Sequence, residues 1–295
     1  MIQISGILTQ VFNGIQFGVL MALLATGLSL IFGMLGIVNF AHGSFYMLGA
    51  YFLWTWIRVL PAMAGSFWIG LVLTLPLMGL VGLILEKVML RRLYNQPPVY
   101  AFLITFGVML VIQQSVALVY GTNPLPLGIP PGFEGQVNLG VIYYPVYRLY
   151  SMLLGLVVIA CVWFFVEHSI LGAIIRASAE DSETARTLGI NTRTVYTWAF
   201  AMGTVLAGFG GCLHAPVIGG LQHSVGGEVL LYSFIVVILG GTGSIVGALL
   251  GGIILGIIRG IAGIFWAPAS DLIMFIAMGI ILLVRPQGLL GRKSA

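Results

Sequence analysis

Long apolar runs, separated by short polar or glycine-rich stretches, dominate the chain. They occupy residues 7–32, 38–57, 66–86, 99–120, 149–166, 195–217, 229–240, 245–264 and 268–284. A helix needs about 20 apolar residues to cross the hydrocarbon core of a bilayer, and most of the runs have that length. The pattern predicts an all-α fold, a polytopic integral membrane helical bundle of about eight or nine transmembrane segments, some of them broken or re-entrant.

The run at 229–240 is shorter than the others. As a helix it spans only about 18 Å, which is too short to cross a membrane alone. It therefore either borrows residues from 219–228 or forms half of a broken helix. No segment has the polarity of a soluble domain, so residues 1–295 are interpreted as a single transmembrane domain.

The composition agrees with this interpretation. The chain is 60% hydrophobic and only 7% charged, whereas soluble domains carry about 25% charged residues. Its 41 glycines suit the close approach of helices in lipid. The basic residues lie mostly at the ends of apolar runs, which explains them without a nucleic-acid partner.

The basic residues predict an orientation. If every run crosses, one side of the membrane receives Lys87, Arg91, Arg92, Arg176, Arg186, Arg193, Arg285, Arg292 and Lys293. Only Arg58, Arg148 and Arg259 fall on or near the other side. The positive-inside rule makes the richer side cytoplasmic. We therefore expect loop 168–194 and the C-terminus inside, and loop 121–148 and the N-terminus outside.

Two loops have a distinct character. The loop at 121–148 is rich in proline and glycine, and it forms either a short hairpin around residues 137–144 or an irregular ordered lid. The loop at 172–193 collects charged residues, namely Arg176, Glu180, Asp181, Glu183, Arg186 and Arg193. This second loop is either a solvated connector or a surface for a soluble partner.

The charged loop has the signals of a short helix. Residues 178–188 can form about three turns, with Ser178 or Ser182 as the N-cap. Asp181 and Glu183 near the start suit the helix dipole, and Glu183 can reach Arg186 three residues later. Gly189 is placed to end the helix.

Four segments in order resemble the branched-chain amino acid permease family of ATP-binding-cassette importers, and its shorter permease type in particular. The charged loop resembles the coupling loop of these permeases at Arg176-Ala177, Asp181, Ala185 and Gly189-Ile190-Asn191. The other three are residues 27–51, 236–256 and 285–292. Two departures are Leu231-Tyr232-Ser233, where many relatives have a lysine, and Glu-Thr-Ala in the loop, where the wider superfamily favours Glu-Ala-Ala.

The resemblance implies a non-catalytic permease subunit in the inner membrane, which moves branched-chain or related hydrophobic amino acids by alternating access. It implies cytoplasmic ATPase partners that use ATP and Mg²⁺, with no cofactor on this chain. It also implies a paralogous permease or a second copy, an extracytoplasmic binding protein and membrane lipid. The coupling residues would be Arg176, Asp181, Ser182, Glu183, Ala185, Arg186 and Gly189. Alternatives are a urea or short-amide permease of the same family and a stand-alone secondary carrier or channel.

Polar and glycine residues within the apolar runs or directly beside them are candidates for the translocation path. They are Asn39, His42, Ser44, Glu228, Gly241, Thr242 and Ser244. Polar groups at depth usually face a cavity or a partner, and broken helices can expose backbone groups to substrate. The structural alternatives stay open: Asn39 can cap a helix while His42 bonds a carbonyl, and the glycines can serve packing alone. No metal site is expected at His42, because no second ligand lies at suitable spacing.

Two further patterns concern ionisable residues near the end of the chain and scattered histidines. Arg259 and Asp271 can pair across the turn at 267–269, as a structural ion pair at the membrane edge. His42, His214 and His223 would be the candidate groups of an intramembrane enzyme, but they share no face in the sequence pattern.

Overall fold

The computed structural model describes residues 4–60, 65–94 and 96–291 of the chain. Arg292 and Lys293, which contribute to the expected charge bias, lie outside the described residues. The fold is a polytopic helical bundle, as predicted. Its helices are α1 Ile4–Leu35, α2 His42–Val59, α3 Ser66–Val88, α4 Pro98–Tyr120, α5 Val146–His168, α6 Ile170–Glu180, α7 Ser182–Thr187, α8 Thr192–Ile218, α9 Val225–Gly240, α10 Ile245–Trp266 and α11 Ser270–Val284.

The apolar runs correspond to α1–α5 and α8–α11. Within the described residues, six helical segments are long and apolar enough to cross a membrane: Ile4–Leu35, Ser66–Leu93, Pro98–Tyr120, Val146–His168, Thr192–Ile218 and Ile245–Val284. The last of these is divided into α10 and α11 by a turn at Ala267–Ala269. The short run at 229–240 borrows residues from the preceding segment, since α9 begins at Val225.

Four short strands join the loops at one end of the bundle. They are β1 Leu125–Pro126, β2 Gln136–Asn138, β3 Tyr143–Pro145 and β4 Gly220–Leu221. Strands β2 and β3 form an antiparallel hairpin with Val137 opposite Tyr144, so the hairpin alternative for loop 121–148 is confirmed. Strand β1 pairs with β4, which ties this loop to the α8–α9 connection.

The bundle has two ends with different chemistry. Helix α8 starts at loop 168–194 and is 27 residues long, so its other end lies about 40 Å away. We call the end formed by residues 121–145 and 219–224 the hairpin end, and the end formed by residues 168–194 the loop end. The start of α1 lies at the hairpin end, because Tyr144 donates a hydrogen bond to Asn13 (3.1 Å).

Helices α1 and α8 form the core. From Val19 to Ala25 the side chains of α1 are 0–1% exposed, and α8 packs against α1, α2 and α3. The outer helices instead expose large apolar side chains, such as Leu118 of α4 and Leu283 of α11. An apolar core together with an apolar exterior is expected of a bundle surrounded by lipid.

Glycines set the spacing between the central helices. At the α1–α10 crossing, a Cβ on Gly18 or Gly252 would approach the backbone of the facing helix more closely than real side chains do. The same holds where Gly27 of α1 faces Gly203 of α8, whose carbonyl oxygen would lie 2.7 Å from an added Cβ. The predicted small-residue face at Gly247 and Gly251 packs against the end of α9. Backbone contact of this kind is the main source of association between helices in lipid.

The C-terminal segment completes the loop end of α9. The backbone N–H of Leu289 bonds the Leu239 carbonyl (2.7 Å), and that of Leu290 bonds the Gly240 carbonyl (3.1 Å). The last carbonyls of a helix have no partner within the helix itself. The segment 285–291 therefore satisfies groups that would otherwise be costly at this position.

Replacing Gly18 by alanine should destabilise the bundle by about 1–3 kcal/mol, because α1 and α10 must move apart. The matched control is Gly107→Ala in α4, where an added Cβ has no heavy atom within 4 Å; alanine favours helix, so this change should be neutral or stabilising. Heating the purified protein in detergent and measuring the fraction that stays monodisperse separates the two. Equal melting temperatures for both variants would contradict the proposed role of the crossing.

Candidate functional site

The loop at 168–194 contains two helices rather than one. Helix α6 starts at its cap Ser169, whose hydroxyl accepts from the Gly172 N–H (2.9 Å). It ends before Asp181, which is extended at φ −149° and ψ 98°, and α7 follows. The prediction of one continuous helix over residues 178–188 is therefore wrong. The break at Asp181 allows the side chain to cap the second helix.

Asp181 is the N-cap of α7. One carboxylate oxygen accepts from the N–H groups of Glu183 and Thr184, both at 3.0 Å, and the other accepts from the Thr184 hydroxyl. These hydrogen bonds, led by that of the Thr184 side chain, lower the pKa of the Asp181 carboxyl. The prediction that Ser178 or Ser182 caps the helix is wrong, since Ser178 is buried within α6 and Ser182 is the first residue of α7.

Gly189 ends α7, as predicted. Its φ of +84° is a left-handed conformation that suits glycine. The N–H of Gly189 bonds the Arg186 carbonyl and that of Ile190 bonds the Ala185 carbonyl, each at 3.0 Å. This pair of bonds is the Schellman motif. A helix of only six residues is thus closed at both ends by hydrogen bonds.

The two faces of α7 differ. Ala185 is 2% exposed and faces the bundle, whereas Ser182, Glu183 and Arg186 are exposed. Glu183 and Arg186 form no ion pair among the described residues, so that expectation is wrong. Arg176 on α6 pairs with Glu167 (3.6 Å) and donates to the Val166 carbonyl. The predicted coupling residues therefore divide into an inner anchor and an outward polar face.

An open apolar groove of about 1150 Å³ lies beside the loop, between α3, α6 and α8. Leu80, Ile174 and Trp198 line it, and Gly189 and Asn191 form part of its rim. The end of α7 and the start of α8 are consequently in contact with a space that adjacent lipid or protein can occupy.

A buried carboxylate joins α3 to α8 near the same end. Glu86 is fully buried and accepts hydrogen bonds from Tyr94 (2.5 Å), Thr197 (2.7 Å) and Arg91 (3.4 Å). Arg91 also donates to the Thr197 hydroxyl (2.7 Å). The sequence pattern gives little sign of this cluster, because Glu86 stands beside Lys87 at the end of an apolar run. The one signal in the sequence was that Arg91 and Arg92 follow Glu86 closely enough to pair with it.

The predicted path residues near α2 are buried. Asn39 accepts from the Ala41 N–H (3.0 Å), His42 donates to the Leu24 carbonyl (3.0 Å), and Ser44 donates to the Met109 carbonyl (3.5 Å). The His42 bond is the carbonyl contact of the helix-start alternative, but the expectation that Asn39 caps the helix is wrong, because the N-cap of α2 is Ala41 and no described side chain caps that helix. The Asn39 Nδ2 and His42 Nδ1 atoms have no partner among the described residues, which is unusual for buried polar groups. Their role in the path stays a prediction.

The second predicted path segment forms the turn between α9 and α10. Gly243 donates its N–H to the Ser29 hydroxyl (2.9 Å), and Ser244 caps α10 by accepting from Gly247 (3.0 Å). Gly241 is buried and Thr242 is exposed. The turn therefore packs on α1, the same helix whose Leu24 carbonyl binds His42.

Glu228 lies at a cavity of about 470 Å³ near the hairpin end, in the first turn of α9, whose Gly226 packs against Gly43 and Ser44 of α2. The wall also includes Arg259, Tyr232, His214, Phe17 and Val229. The expected pair of Arg259 and Asp271 is confirmed at 2.7 Å, and Tyr232 donates to the second Asp271 oxygen (3.0 Å). The sequence pattern did not indicate Phe17 or Tyr232, because aromatic residues on apolar helices usually serve packing.

The described residues include no group of three or more His, Cys, Asp and Glu side chains placed to hold a metal ion. The histidines take part in separate contacts. His42 bonds a carbonyl of α1, as above, whereas the His214 ring is hydrogen-bonded to the Tyr46 hydroxyl.

Comparison with known proteins gives consistent matches. Residues 10–284 match the family described as "Branched-chain amino acid transport system / permease component". The chain is 31% identical to the high-affinity branched-chain amino acid transport system permease protein LivH of Escherichia coli K12, over 97% of this chain and 96% of that protein. For BraD of Pseudomonas aeruginosa the identity is 30% with the same coverage. For LivM of Escherichia coli K12 it is 26%, over 91% of this chain and 67% of LivM. No solved structure matches significantly.

Removing the cap of α7 should loosen the helix without disturbing the bundle. In Asp181→Ala the N–H groups of residues 183 and 184 lose their acceptor, and their exchange with solvent deuterium should accelerate roughly fivefold. Asp181→Asn is the matched control, because its amide oxygen keeps the acceptor and should preserve most of the protection. Unchanged exchange in the alanine variant, measured by mass spectrometry, would show that other contacts hold α7.

Removing the buried carboxylate should weaken the junction of α3 and α8. Glu86→Ala leaves Arg91, Tyr94 and Thr197 without their shared acceptor, with an expected loss of about 2–4 kcal/mol in stability. Arg92→Ala, next in sequence to Arg91 but exposed, should change stability by less than about 0.5 kcal/mol. Melting temperatures in detergent test the difference, and similar values for the two variants would refute it.

Proposed function

The chain belongs to the family of branched-chain amino acid transport system permease components, and we propose that it is the membrane permease subunit of an ATP-binding-cassette importer. In this role it does no covalent chemistry, and ATP with Mg²⁺ is used by partner ATPase subunits. Of the residues that match the coupling motif, Asp181 caps, Ala185 anchors and Gly189 ends a short helix with an exposed polar face. That geometry is the observation that carries the proposal.

Helix α7 fits the task of transmitting motion. A six-residue helix has little stability of its own, yet Asp181 and Gly189 fix both of its ends. The buried Ala185 anchors it to the bundle, and its outward polar residues offer a surface to a soluble ATPase. The Schellman turn leads directly into α8. A displacement of α7 would therefore move a helix that crosses the whole bundle.

The proposed orientation places the loop end in the cytoplasm. Seven of the described basic residues belong to that end: Lys87, Arg91, Arg92, Arg176, Arg186, Arg193 and Arg285. Arg58, Arg148 and Arg259 lie nearer the hairpin end. The positive-inside rule then puts the hairpin end and the N-terminus outside the inner membrane, where an extracytoplasmic binding protein would deliver substrate.

The proposed substrates are branched-chain or related hydrophobic amino acids, because the relatives named LivH and BraD are permease proteins of such systems. Urea or short amides are the alternative within the same family. The similarity to LivM as well as LivH supports a heterodimer with a paralogous permease. Alternating access, driven by ATP-dependent closure of the ATPases, would then expose the path to each side in turn.

Transport should depend on the anchoring of α7. In Ala185→Asp a charge replaces a buried methyl group, so α7 should be displaced and ATP-dependent amino-acid uptake should fall at least about tenfold. The matched control is Ala179→Asp, which introduces the same charge at an exposed position of α6 and should retain uptake. Both variants are expressed with the ATPase genes of the same operon, and co-purification of the ATPase is measured together with uptake.

The same measurement discriminates between the importer and a stand-alone carrier or channel. An importer subunit should co-purify with its ATPase, and uptake should stop when the ATPase is omitted. Uptake that continues without any ATPase would overturn the proposed function.

A further inference from the structure

The cavity at the hairpin end carries opposite charges on different helices. Glu228 is in the first turn of α9, and Arg259 is in the second half of α10. Both line the cavity of about 470 Å³, and their charged groups do not form an ion pair with each other, since the only partner of Arg259 in an ion pair among the described residues is Asp271. A space thus remains between a carboxylate and a guanidinium.

The guanidinium of Arg259 is held in place through its Nε atom, which leaves its two terminal amino groups (the fork) facing no acceptor among the described residues. Its Nε donates to Asp271 (2.7 Å), and Asp271 is in turn held by the Tyr232 hydroxyl (3.0 Å). The guanidinium carbon lies 4.3 Å from the centre of the Phe17 ring, a distance at which a cation and an aromatic face attract. The two terminal amino groups have no hydrogen-bond acceptor among the described residues. They are the part of arginine that binds carboxylates best.

The carboxylate of Glu228 is also available to bind a ligand. Its side chain is exposed, and the described residues provide no hydrogen bond or ion pair for it. It lies one helical turn before Tyr232, so both residues occupy the same face of α9. An unpaired carboxylate on the wall of a cavity attracts an ammonium group, and the neighbouring Val229 and Phe17 supply apolar surface.

We propose that this cavity is a binding site for zwitterionic α-amino acids on the permease itself, with Arg259 receiving the carboxylate, Glu228 the ammonium group, and the apolar wall the side chain. Asp271 and Tyr232 act as positioning residues, because they fix Arg259 without using its fork. The inference rests on the proposed function and deepens it: selectivity for amino acids would not be left to a binding protein alone. Neutral amides and urea have neither charge, so the site would disfavour them.

The charges also indicate which ligands should bind poorly. An acid without an ammonium group makes no contact with Glu228. It is also repelled, because Asp271 partly neutralises Arg259 and the carboxylate of Glu228 leaves the cavity with a net negative charge. An amine without a carboxylate makes no hydrogen bond to the terminal amino groups of Arg259. A charged hydrogen bond contributes enough that loss of either group should weaken binding about tenfold.

The test uses the permease assembled with its ATPase partners, without binding protein. Leucine, isoamylamine and 4-methylpentanoate are added over a concentration series, and amide hydrogen exchange is followed in segments 225–232 and 255–262. Leucine should protect both segments, and the two singly charged analogues should require about tenfold higher concentration. An analogue that protects as well as leucine would overturn the proposal, because one charge would then suffice.

Glu228→Gln is the most informative variant, since Glu228 has no partner among the described residues whose loss would affect folding. It should raise the leucine concentration needed for protection about tenfold. Arg259→Gln combined with Asp271→Asn removes the other contact without leaving a lone charge, and it should have a similar effect. Arg58→Gln is the matched control, because Arg58 lies at the same end but stacks on Trp54 outside the cavity.

The outcomes separate this site from the proposed function. Unchanged leucine protection in both cavity variants would refute the site, whereas ATP-dependent uptake by the wild-type complex would still support the importer. Absence of uptake with all partners present would refute the importer whatever the exchange data show. Weaker protection in Glu228→Gln and in the double variant, with Arg58→Gln unaffected, would establish the site.

Discussion

The bundle is organised around the close packing of α1 against α10 and α8, which glycines on these helices permit. Burying an apolar side chain between helices contributes little free energy when the surrounding lipid is equally apolar. Helices in lipid therefore associate through close backbone packing and interhelical hydrogen bonds. Gly14 and Gly18 bring α10 against α1, and Gly27 brings α8 against it. With α1 at the centre, α8 and α10 are fixed at short distance, and with them His214 and Arg259.

Helix α8 connects the two functional ends of the molecule. Its first turns receive α7 through the Schellman turn, and Thr197 binds the buried Glu86 of α3. Its last turns carry His214 into the cavity that Glu228 and Arg259 share. Helix α8 is continuous from Thr192 to Ile218, so under the proposed function a displacement of α7 would be passed along it toward the cavity. Helix α8 would thus connect the proposed ATPase surface to the proposed substrate site, without a chain of individual side-chain contacts between them.

Residue patterns along the chain predicted much of the structure of the coupling loop, but less of the structure around the predicted translocation path. Gly189 ends α7 because a left-handed residue is required there, a property of one amino acid. The cap was different: Ser178, Ser182 and Asp181 are all suitable N-caps, and only the extended backbone at Asp181 decided among them. Likewise, Asn39 and His42 were recognisable as unusual polar groups. The bond of Asn39 to Ala41 is local, but the bond of His42 to Leu24 depends on how α2 meets α1.

The membrane-spanning helices, the charge difference between the ends, the termination of α7 and the family were all predictable from the chain alone, because each depends on composition, periodicity or motifs. The pairing of Arg259 with Asp271 was also predictable, since a short turn separates their helices. The folded bundle was needed to show that Glu228, Arg259, Tyr232 and Phe17 share one cavity. These residues come from three helices, and their meeting depends on glycine contacts between helices distant in sequence. The contact of the buried Glu86 with Thr197 has the same origin, whereas Arg91 and Tyr94 are its near neighbours in sequence.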